Sequence, residues 1–272
     1  MNYHGDLCKE LLLRFKYDHK IEFSKIPTCI LLPILLSSSN RNIVNSYLLA
    51  NLFKKRYGLR SIDVVPNAVG NYWFSNEQEK IEKNDEEIEI FYHGRLSPEK
   101  GVDLLIKGLH AFLSANRTSN KINLYIAGDG PQMGYLKTLS TQLGIAKNVI
   151  FLGNLNQKQI AQYLKKVDVA IYPSIWDNFP LSFLEAFACA ECPVYFSKKA
   201  GIYDFTVNDG YTLDAFEPNI ENILNIIRST FEKIDGNDQK VVICQQKFAE
   251  KYTWDFVVDN YIDIYRKLCD VD

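Results

Sequence analysis

The chain has 272 residues, of which 47% are hydrophobic and 13% aromatic, so it can bury a core in one large or two modest globular domains. A net charge of −2 and a pI near 6.1 leave no generally basic surface, which argues against nucleic acid as a partner. Any phosphate that the protein binds must therefore be met by local cations.

The first 74 residues have the pattern of an incomplete amino-terminal α/β domain. The predicted elements are an amphipathic helix near residues 7–15, a buried strand at 26–36, a helix at 43–57 and a short strand at 62–65. The polar turn at 37–40 can cap the second helix, and Gly58 can end it. These elements are too few for a complete doubly wound domain.

Residues 75–88 are polar and charged without an apolar period, which predicts a surface linker or an exposed hairpin. Beyond them, residues 89–250 alternate between apolar strands and helical runs. The predicted strands are 89–93, 122–127, 149–152, 168–172 and 193–196, and the helices between them are 102–115, 132–144, 157–166 and 180–190. Strands separated by helices of this length call for a parallel sheet with right-handed crossovers.

The end of the chain has a weaker pattern. A short strand at 210–213 and helices at 220–231 and 241–251 are predicted there. In the carboxy-terminal segment 251–272, an apolar stripe predicts a last helix at 254–268.

Two cations flank the turn that follows the first strand of the regular region. Arg95 comes directly after Gly94, and Lys100 precedes the next helix. A guanidinium can bind two phosphate oxygens side by side and an ammonium adds a point charge, so the pair suits a diphosphate. Two solvated turn charges would give the same pattern.

The next two strands end in turns that also suit a ligand. Gly128 and Gly130 permit tight backbone geometry close to a bound molecule, although an ordinary turn would explain them as well. The following strand ends in a turn at residues 153–155. Because ligands gather at the carboxyl ends of the strands in open α/β sheets, these turns define one expected ligand edge.

Residues 168–185 combine a buried strand, a polar loop and a helix start at this same edge. Pro180 suits a first helical turn, and a helix N-terminus offers unpaired backbone N–H groups to an anion. Asp177 lies in the loop, and Glu185 lies one or two turns into the helix, where it could accept hydrogen bonds from hydroxyls. These features predict a sugar-phosphate site. The alternative for Asp177 is a turn or helix-cap residue, and the alternative for Glu185 is a solvated carboxylate on the helix surface.

The segments GRLSPEKG, AGDGP, FLGNL and PSIWDNFPLSFLEAFA occur in an order that resembles family 4 glycosyltransferases of the GT-B fold. The resemblance covers about residues 30–269. Such enzymes are retaining and metal-independent, and they move a sugar from a nucleotide diphosphate sugar to an acceptor hydroxyl. The resemblance implies a Rossmann-type parallel-sheet donor domain over residues 89–250, an incomplete amino-terminal acceptor-side domain, and no cofactor.

The resemblance also implies roles for single residues. Arg95 and Lys100 would grip the donor diphosphate, Glu185 would bind the ribose hydroxyls, and Asp177 would stand near the transferred sugar in place of a glutamate. Backbone groups of the neighbouring turns would approach the sugar, the phosphates and the base. These donor-binding residues are Gly94, Gly128, Gly130, Asn154, Leu155, Asn178, Phe179, Pro180 and Leu181.

The amino-terminal segment departs from the family. His4 resembles a strand-end histidine of the acceptor side, although a surface turn explains it as well. His19, His93 and His110 show no triad or metal-ligand spacing and are interpreted as structural or exposed. Several strands of the family's amino-terminal domain are lacking, so a protein partner is expected to supply that half unless the chain suffices alone.

Two functions follow from the sequence. One is an active transferase that acts on a glycan or a lipid-linked acceptor in surface polysaccharide or glycolipid assembly, and the other is a noncatalytic nucleotide-sugar-binding subunit. Scattered cysteines without a secretion signal predict a cytoplasmic protein, and the Cys189/Cys192 pair lacks the other ligands of a metal site. The apolar run at 26–36 is about eleven residues long, whereas a helix needs roughly 20 residues to cross a membrane. Peripheral association with the inner face of a membrane is therefore the one form of membrane contact that the sequence allows.

Overall fold

The computed structural model describes residues 2–3, 36, 38–39, 41–75, 87–115, 122–232 and 238–269. Several predictions lie outside these residues: the helix near 7–15, all but the last residue of the strand at 26–36, the centre of the linker, and the candidate His4. Leu36 is helical and buried, so the predicted strand is wrong at that residue.

The described residues form two parallel sheets, and the smaller belongs to the amino-terminal part of the chain. Its strands are β1 (Asn2–Tyr3), β2 (Asn42–Val44) and β3 (Ile62–Val64), in the order β1-β2-β3. Helix α1 (Tyr47–Tyr57) joins β2 to β3. The Ser46 hydroxyl oxygen caps this helix by accepting from the Leu49 N–H at 3.1 Å, and Gly58 ends it in the left-handed conformation with φ 66°.

The prediction of a helix at 43–57 is wrong over its first residues. Ile43 and Val44 are buried on β2, where they pair with β3 on one side and β1 on the other. Because Ser46 provides the cap, the turn at 37–40 does not start α1. The apolar period could not separate a three-residue strand from the helix that follows it so closely.

The larger sheet contains six parallel strands. They are β4 (Ile88–His93), β5 (Ile122–Ala127), β6 (Val149–Gly153), β7 (Val169–Tyr172), β8 (Val194–Ser197) and β9 (Ala215–Phe216), in the order β6-β5-β4-β7-β8-β9. The chain thus builds outward from β4 to β6 and then returns to the other side of β4. Loops diverge at such a switch point, which leaves a crevice between β4 and β7.

Helices connect these strands and follow the last of them. They are α2 (Val102–Ala115), α3 (Met133–Gln142), α4 (Gln157–Lys166), α5 (Leu181–Cys189), α6 (Ile202–Asn208), α7 (Ile220–Glu232), α8 (Asp238–Glu250) and α9 (Trp254–Cys269). The strands and helices predicted between residues 89 and 196 are confirmed within two residues at each end. No helix in the described ranges is long and apolar enough to cross a membrane.

The strand predicted at 210–213 is wrong. Gly210 closes the turn after α6 with φ 74°, and the Tyr211 N–H donates back to the Thr206 carbonyl at 2.8 Å. The last strand forms at Ala215–Phe216 instead, beside β8. An apolar pair at 215–216 is too short to carry a strand period.

The last helix returns to the smaller sheet. Val257 and Ile264 of α9 form a buried cluster with Ile43, Val65 and Ala68. The Asn67 side chain also donates to the Phe179 carbonyl at 2.8 Å, across 112 positions of sequence. These contacts hold the end of β3 against the loop that precedes α5.

Candidate functional site

A cavity of about 450 Å³ lies at the carboxyl edge of the larger sheet. The turns after β4, β5 and β6, helix α4 and the first two turns of α5 surround it. Its lining residues are His93, Gly94, Arg95, Lys100, Ala127, Gly128, Asp129, Asn154, Leu155, Ile160, Leu181, Ser182 and Glu185. Side chains from distant parts of the sequence therefore meet where the chain reverses its order in the sheet.

Glycines let the turns after β4 and β5 pack directly on each other. A Cβ on Gly128 would stand 1.9 Å from the Gly94 carbonyl oxygen, and one on Gly130 would stand 2.4 Å from that of Leu96. Both glycines have a positive φ, 131° and 158°. Gly128 borders the cavity, whereas Gly130 serves the contact between the turns.

The turn after β6 leads into α4 through a capping box. The Asn156 side chain accepts from the Gln159 N–H at 2.9 Å, and the Gln159 side chain accepts from the Asn156 N–H at 3.0 Å. This fixes the chain directly after Asn154 and Leu155, which border the cavity.

The two predicted cations have different surroundings. Lys100 forms an ion pair with Asp177, and both side chains are mostly buried. The turn that carries Lys100 is held against the loop after β7. The Glu99 carbonyl accepts from the Ile175 N–H at 2.8 Å, and Gly101 lies against the Pro173 carbonyl. Arg95 is exposed at the cavity and makes no ion pair with a carboxylate of the described residues.

Helix α5 presents its N-terminus and one carboxylate to the same cavity. Pro180 is its N-cap residue and makes no side-chain capping hydrogen bond. Because the first N–H groups of a helix have no partner within the helix, they can meet an anion at this position. Glu185 lies one turn further along, and its side chain is 23% exposed.

Glu185 is held by a histidine that the sequence interpretation left without a function. Its Oε2 atom lies 3.0 Å from His93 Nε2, and His93 Nδ1 lies 2.7 Å from the Tyr172 hydroxyl. Burial, reinforced by the Glu185 charge, raises the pKa of Tyr172 well above its ordinary value, so this hydroxyl stays protonated. A histidine at the last position of the buried strand IEIFYH, directly before the Gly94–Arg95 turn, was the available signal.

A second cavity, of about 640 Å³, adjoins the first and shares Lys100 and Leu181 with it. The loop before α5 forms one wall, and the end of β3 and helix α9 form the others. Its remaining lining residues are Asn45, Pro66, Asn67, Ala68, Asp177, Asn178, Phe179, Pro180, Trp254, Val257 and Tyr261. The Trp254 side chain is 60% exposed, so this cavity has an open aromatic wall.

The structure separates the predicted site residues into two groups. Most border the first cavity, while Asp177, Asn178, Phe179 and Pro180 border the second. The Phe179 ring is buried against Phe205 and Tyr252, and its carbonyl accepts from the Asn67 side chain.

Within the part of the chain that the structure describes, no group of three or more His, Cys, Asp or Glu side chains could hold a metal ion. Cys189 and Cys192 are both buried near the end of α5. Burial raises the pKa of the Cys189 thiol to about 12, so the thiolate needed for metal binding or redox exchange is scarce.

Residues 74–241 match the family model described as glycosyl transferases group 1. The chain belongs to this glycosyltransferase family. An uncharacterized glycosyltransferase of Methanocaldococcus jannaschii is 28% identical to it over 191 residues, which are 70% of this chain and 48% of that protein. A Salmonella typhimurium lipopolysaccharide 1,2-N-acetylglucosaminetransferase is 26% identical over 84% of this chain and 62% of that protein.

A third relative of this group 1 glycosyltransferase is the phosphatidylinositol N-acetylglucosaminyltransferase GPI3 subunit of Saccharomyces cerevisiae. It is 22% identical over 261 residues, which are 92% of this chain and 57% of that protein. The chain thus spans about half the length of the curated relatives it matches.

Solved structures share the fold of this family member. A sucrose-phosphate synthase from Thermosynechococcus elongatus matches with a TM-score of 0.77 at 17% identity, over 100% of this chain and 68% of that chain. Anabaena HepE in complex with UDP and glucose matches with a TM-score of 0.72 at 20% identity, over 99% of this chain and 71% of that chain. The fold is GT-B, as the resemblance in the sequence implied.

Proposed function

We propose that the chain binds a nucleotide diphosphate sugar in the first cavity and transfers its sugar to an acceptor hydroxyl with retention, as a family 4 enzyme. The observation that carries this proposal is the convergence of Arg95, the α5 N-terminus and Glu185 on one cavity. The first two suit a diphosphate, and the carboxylate suits the ribose hydroxyls. Anabaena HepE, which shares the fold, was solved with UDP and glucose.

The proposed mechanism is electrostatic. Departure of the nucleotide diphosphate builds negative charge on its leaving oxygen, and the guanidinium of Arg95 and the N–H groups of α5 can stabilise that charge. Lys100 adds a cation whose direction is set by Asp177. These groups offset the charge of the diphosphate, so we expect transfer without a metal or cofactor.

We propose that the acceptor enters through the second cavity. This cavity adjoins the first at Lys100 and Leu181, and its Trp254 wall offers an exposed aromatic face for a sugar or a lipid-linked glycan. The Salmonella relative is named for lipopolysaccharide, and the yeast relative for phosphatidylinositol. These names support polysaccharide or glycolipid assembly as the pathway class, and we propose that the protein works in the cytoplasm, in peripheral contact with the inner face of a membrane.

A second candidate function is a nucleotide-sugar-binding subunit that depends on a protein partner for transfer. The observation that favours it is the yeast relative, whose name describes a subunit. An intact donor cavity supports binding in both cases, since binding alone does not produce transfer.

Isothermal titration calorimetry with UDP, GDP and ADP tests both functions. Binding of one nucleotide, followed by hydrolysis or transfer of the matching nucleotide sugar, supports the transferase. Binding without turnover supports the partner-dependent subunit. If none of the three nucleotides binds, both proposals are wrong.

A further inference from the structure

We infer that His93 and Tyr172 are positioning residues that hold Glu185 as an ionised, fixed acceptor for the two ribose hydroxyls of the donor. The inference rests on the proposed function and goes beyond it by assigning a role to two residues outside the donor-site motifs. It follows from a chain of two hydrogen bonds, Tyr172 to His93 and His93 to Glu185.

The topology of the larger sheet brings these residues together. Strands β4 and β7 are neighbours, with Phe91 opposite Ala170, and the same register two residues further on sets His93 beside Tyr172. The two rings meet edge to face with their centroids 5.4 Å apart. Glu185 comes from α5, the helix that follows β7, so the chain of hydrogen bonds crosses the switch point of the sheet.

The direction of each hydrogen bond follows from burial. The Tyr172 hydroxyl is fully buried and has no other acceptor among the described residues, so it donates to His93 Nδ1. That nitrogen then carries no proton, and the neutral imidazole holds its proton on Nε2. The Nε2–H group therefore donates to Glu185 Oε2.

The other arrangements of protons are less favourable. With the proton on Nδ1, the Nε2 lone pair would face the carboxylate at 3.0 Å, and Glu185 would have to be protonated. With both nitrogens protonated, the buried Tyr172 O–H would lose its acceptor. The neutral Nε2–H form is the one that satisfies all three side chains.

This arrangement leaves one carboxylate oxygen for the ligand. Glu185 Oε2 is occupied by His93, while Oε1 has no partner among the described residues, and Glu185 borders the first cavity. An ionised carboxylate accepts hydrogen bonds and cannot donate them, so it selects a ligand that offers hydroxyl donors. The imidazole thus contributes to the discrimination between ribose and deoxyribose without touching the ligand.

The proton position can be measured without any nucleotide. Long-range nitrogen NMR of protein labelled with ¹⁵N-histidine distinguishes a protonated from an unprotonated ring nitrogen, and the His93→Gln variant assigns the signals. We expect a protonated Nε2 and an unprotonated Nδ1. A protonated Nδ1, alone or together with Nε2, would overturn the inference whether or not a nucleotide binds.

The consequence for the ligand is measured by calorimetry with UDP, GDP and ADP and the 2′-deoxy form of whichever binds. For the wild type we expect the deoxy form to bind about ten- to hundredfold more weakly, because a hydrogen bond to a charged group is lost. In His93→Phe this ratio should fall several-fold, and in Tyr172→Phe by a smaller factor. His93→Gln keeps an amide donor for Glu185 and should restore part of the ratio.

Tyr125→Phe is the matched control for Tyr172→Phe. The Tyr125 hydroxyl also bonds a side chain of β4, Glu89 at 3.2 Å, but Glu89 lies near the amino end of this strand and His93 at its carboxyl end. This control should lower stability without changing the ratio. An unchanged ratio in a folded His93→Phe protein would overturn the inference alone, whereas absence of all nucleotide binding by the wild type would overturn the proposed function and the ribose role with it.

Discussion

The two sheets of the molecule are stabilised in different ways. The larger sheet has strands of up to six residues, and its helices follow the strands they cover. The smaller sheet has strands of two or three residues, and residues of α9, from the other end of the sequence, pack with Ile43 and Val65 in its buried cluster. Local sequence therefore encodes most of the first, whereas the second depends on contacts between distant segments.

The same contrast applies to the two cavities. Turns, strand ends and the helices α4 and α5 around the larger sheet line the first cavity, whereas the second needs Asn45 and Asn67 from the amino-terminal part and Trp254 from α9. If the donor binds at the edge of the larger sheet, substitutions around that sheet should weaken donor binding most. Changes in the smaller sheet should act mainly on stability.

Arg95→Ala should have the largest effect on activity. The guanidinium borders the first cavity and forms no ion pair with a described carboxylate, so its charge is available to the diphosphate. Removing one preorganised group of this kind typically costs about 10²- to 10³-fold in turnover. Steady-state kinetics with the nucleotide sugar that binds would measure this loss.

Arg228→Ala is the matched control for that variant. Arg228 is an exposed arginine on α7, away from both cavities. We expect its turnover to equal that of the wild type. Wild-type turnover in Arg95→Ala would contradict the assignment of the diphosphate site.

Gly128→Ala should have the next largest effect, because it changes the contact between two turns of the larger sheet. The added Cβ would lie 1.9 Å from the Gly94 carbonyl oxygen, and the backbone has φ 131°. Strain of this kind costs about 1–3 kcal/mol, and the displaced turn should also weaken nucleotide binding. Urea denaturation and calorimetry would measure the two losses.

Gly134→Ala gives the opposite expectation at an exposed position. No heavy atom lies within 4 Å of a Cβ built there, and the residue is in α3. The substitution should stabilise the protein by about 0.4–1 kcal/mol, because alanine reduces the freedom of the unfolded chain. Equal effects of the two substitutions would show that the contact at Gly94 is unimportant.

The difference between the sheets also explains how much the sequence could predict. Alternating strands and helices gave the larger sheet, and the turns at its carboxyl edge placed Arg95, Lys100 and Glu185 around one cavity. The smaller sheet was misread at Ile43 and Val44, because a three-residue strand has too little period to be distinguished from a helix.

Contacts between side chains were the second kind of information that the sequence could not supply. Lys100 and Asp177 were expected to act separately on the ligand, and the structure pairs them with each other. His93 was interpreted as structural or exposed, although its contact with Glu185 spans 92 positions. Spacing along one chain cannot reveal a pair that only the packing of two neighbouring strands and a helix creates.

Ser46→Ala should have a smaller effect than Arg95→Ala or Gly128→Ala. It tests the corrected start of α1, beside the smaller sheet. Alanine keeps the Cβ that packs near Gly201 and removes only the oxygen that accepts from the Leu49 N–H. Loss of such a cap typically costs about 1 kcal/mol of folding free energy. Ser38→Ala, at an exposed position within the segment that the sequence suggested as the cap, is the matched control. Urea denaturation curves with equal slopes should show the greater loss of folding free energy for Ser46→Ala. Nucleotide binding should be retained in both variants. A greater loss for Ser38→Ala would contradict the corrected boundary and favour a helix start at residues 37–40.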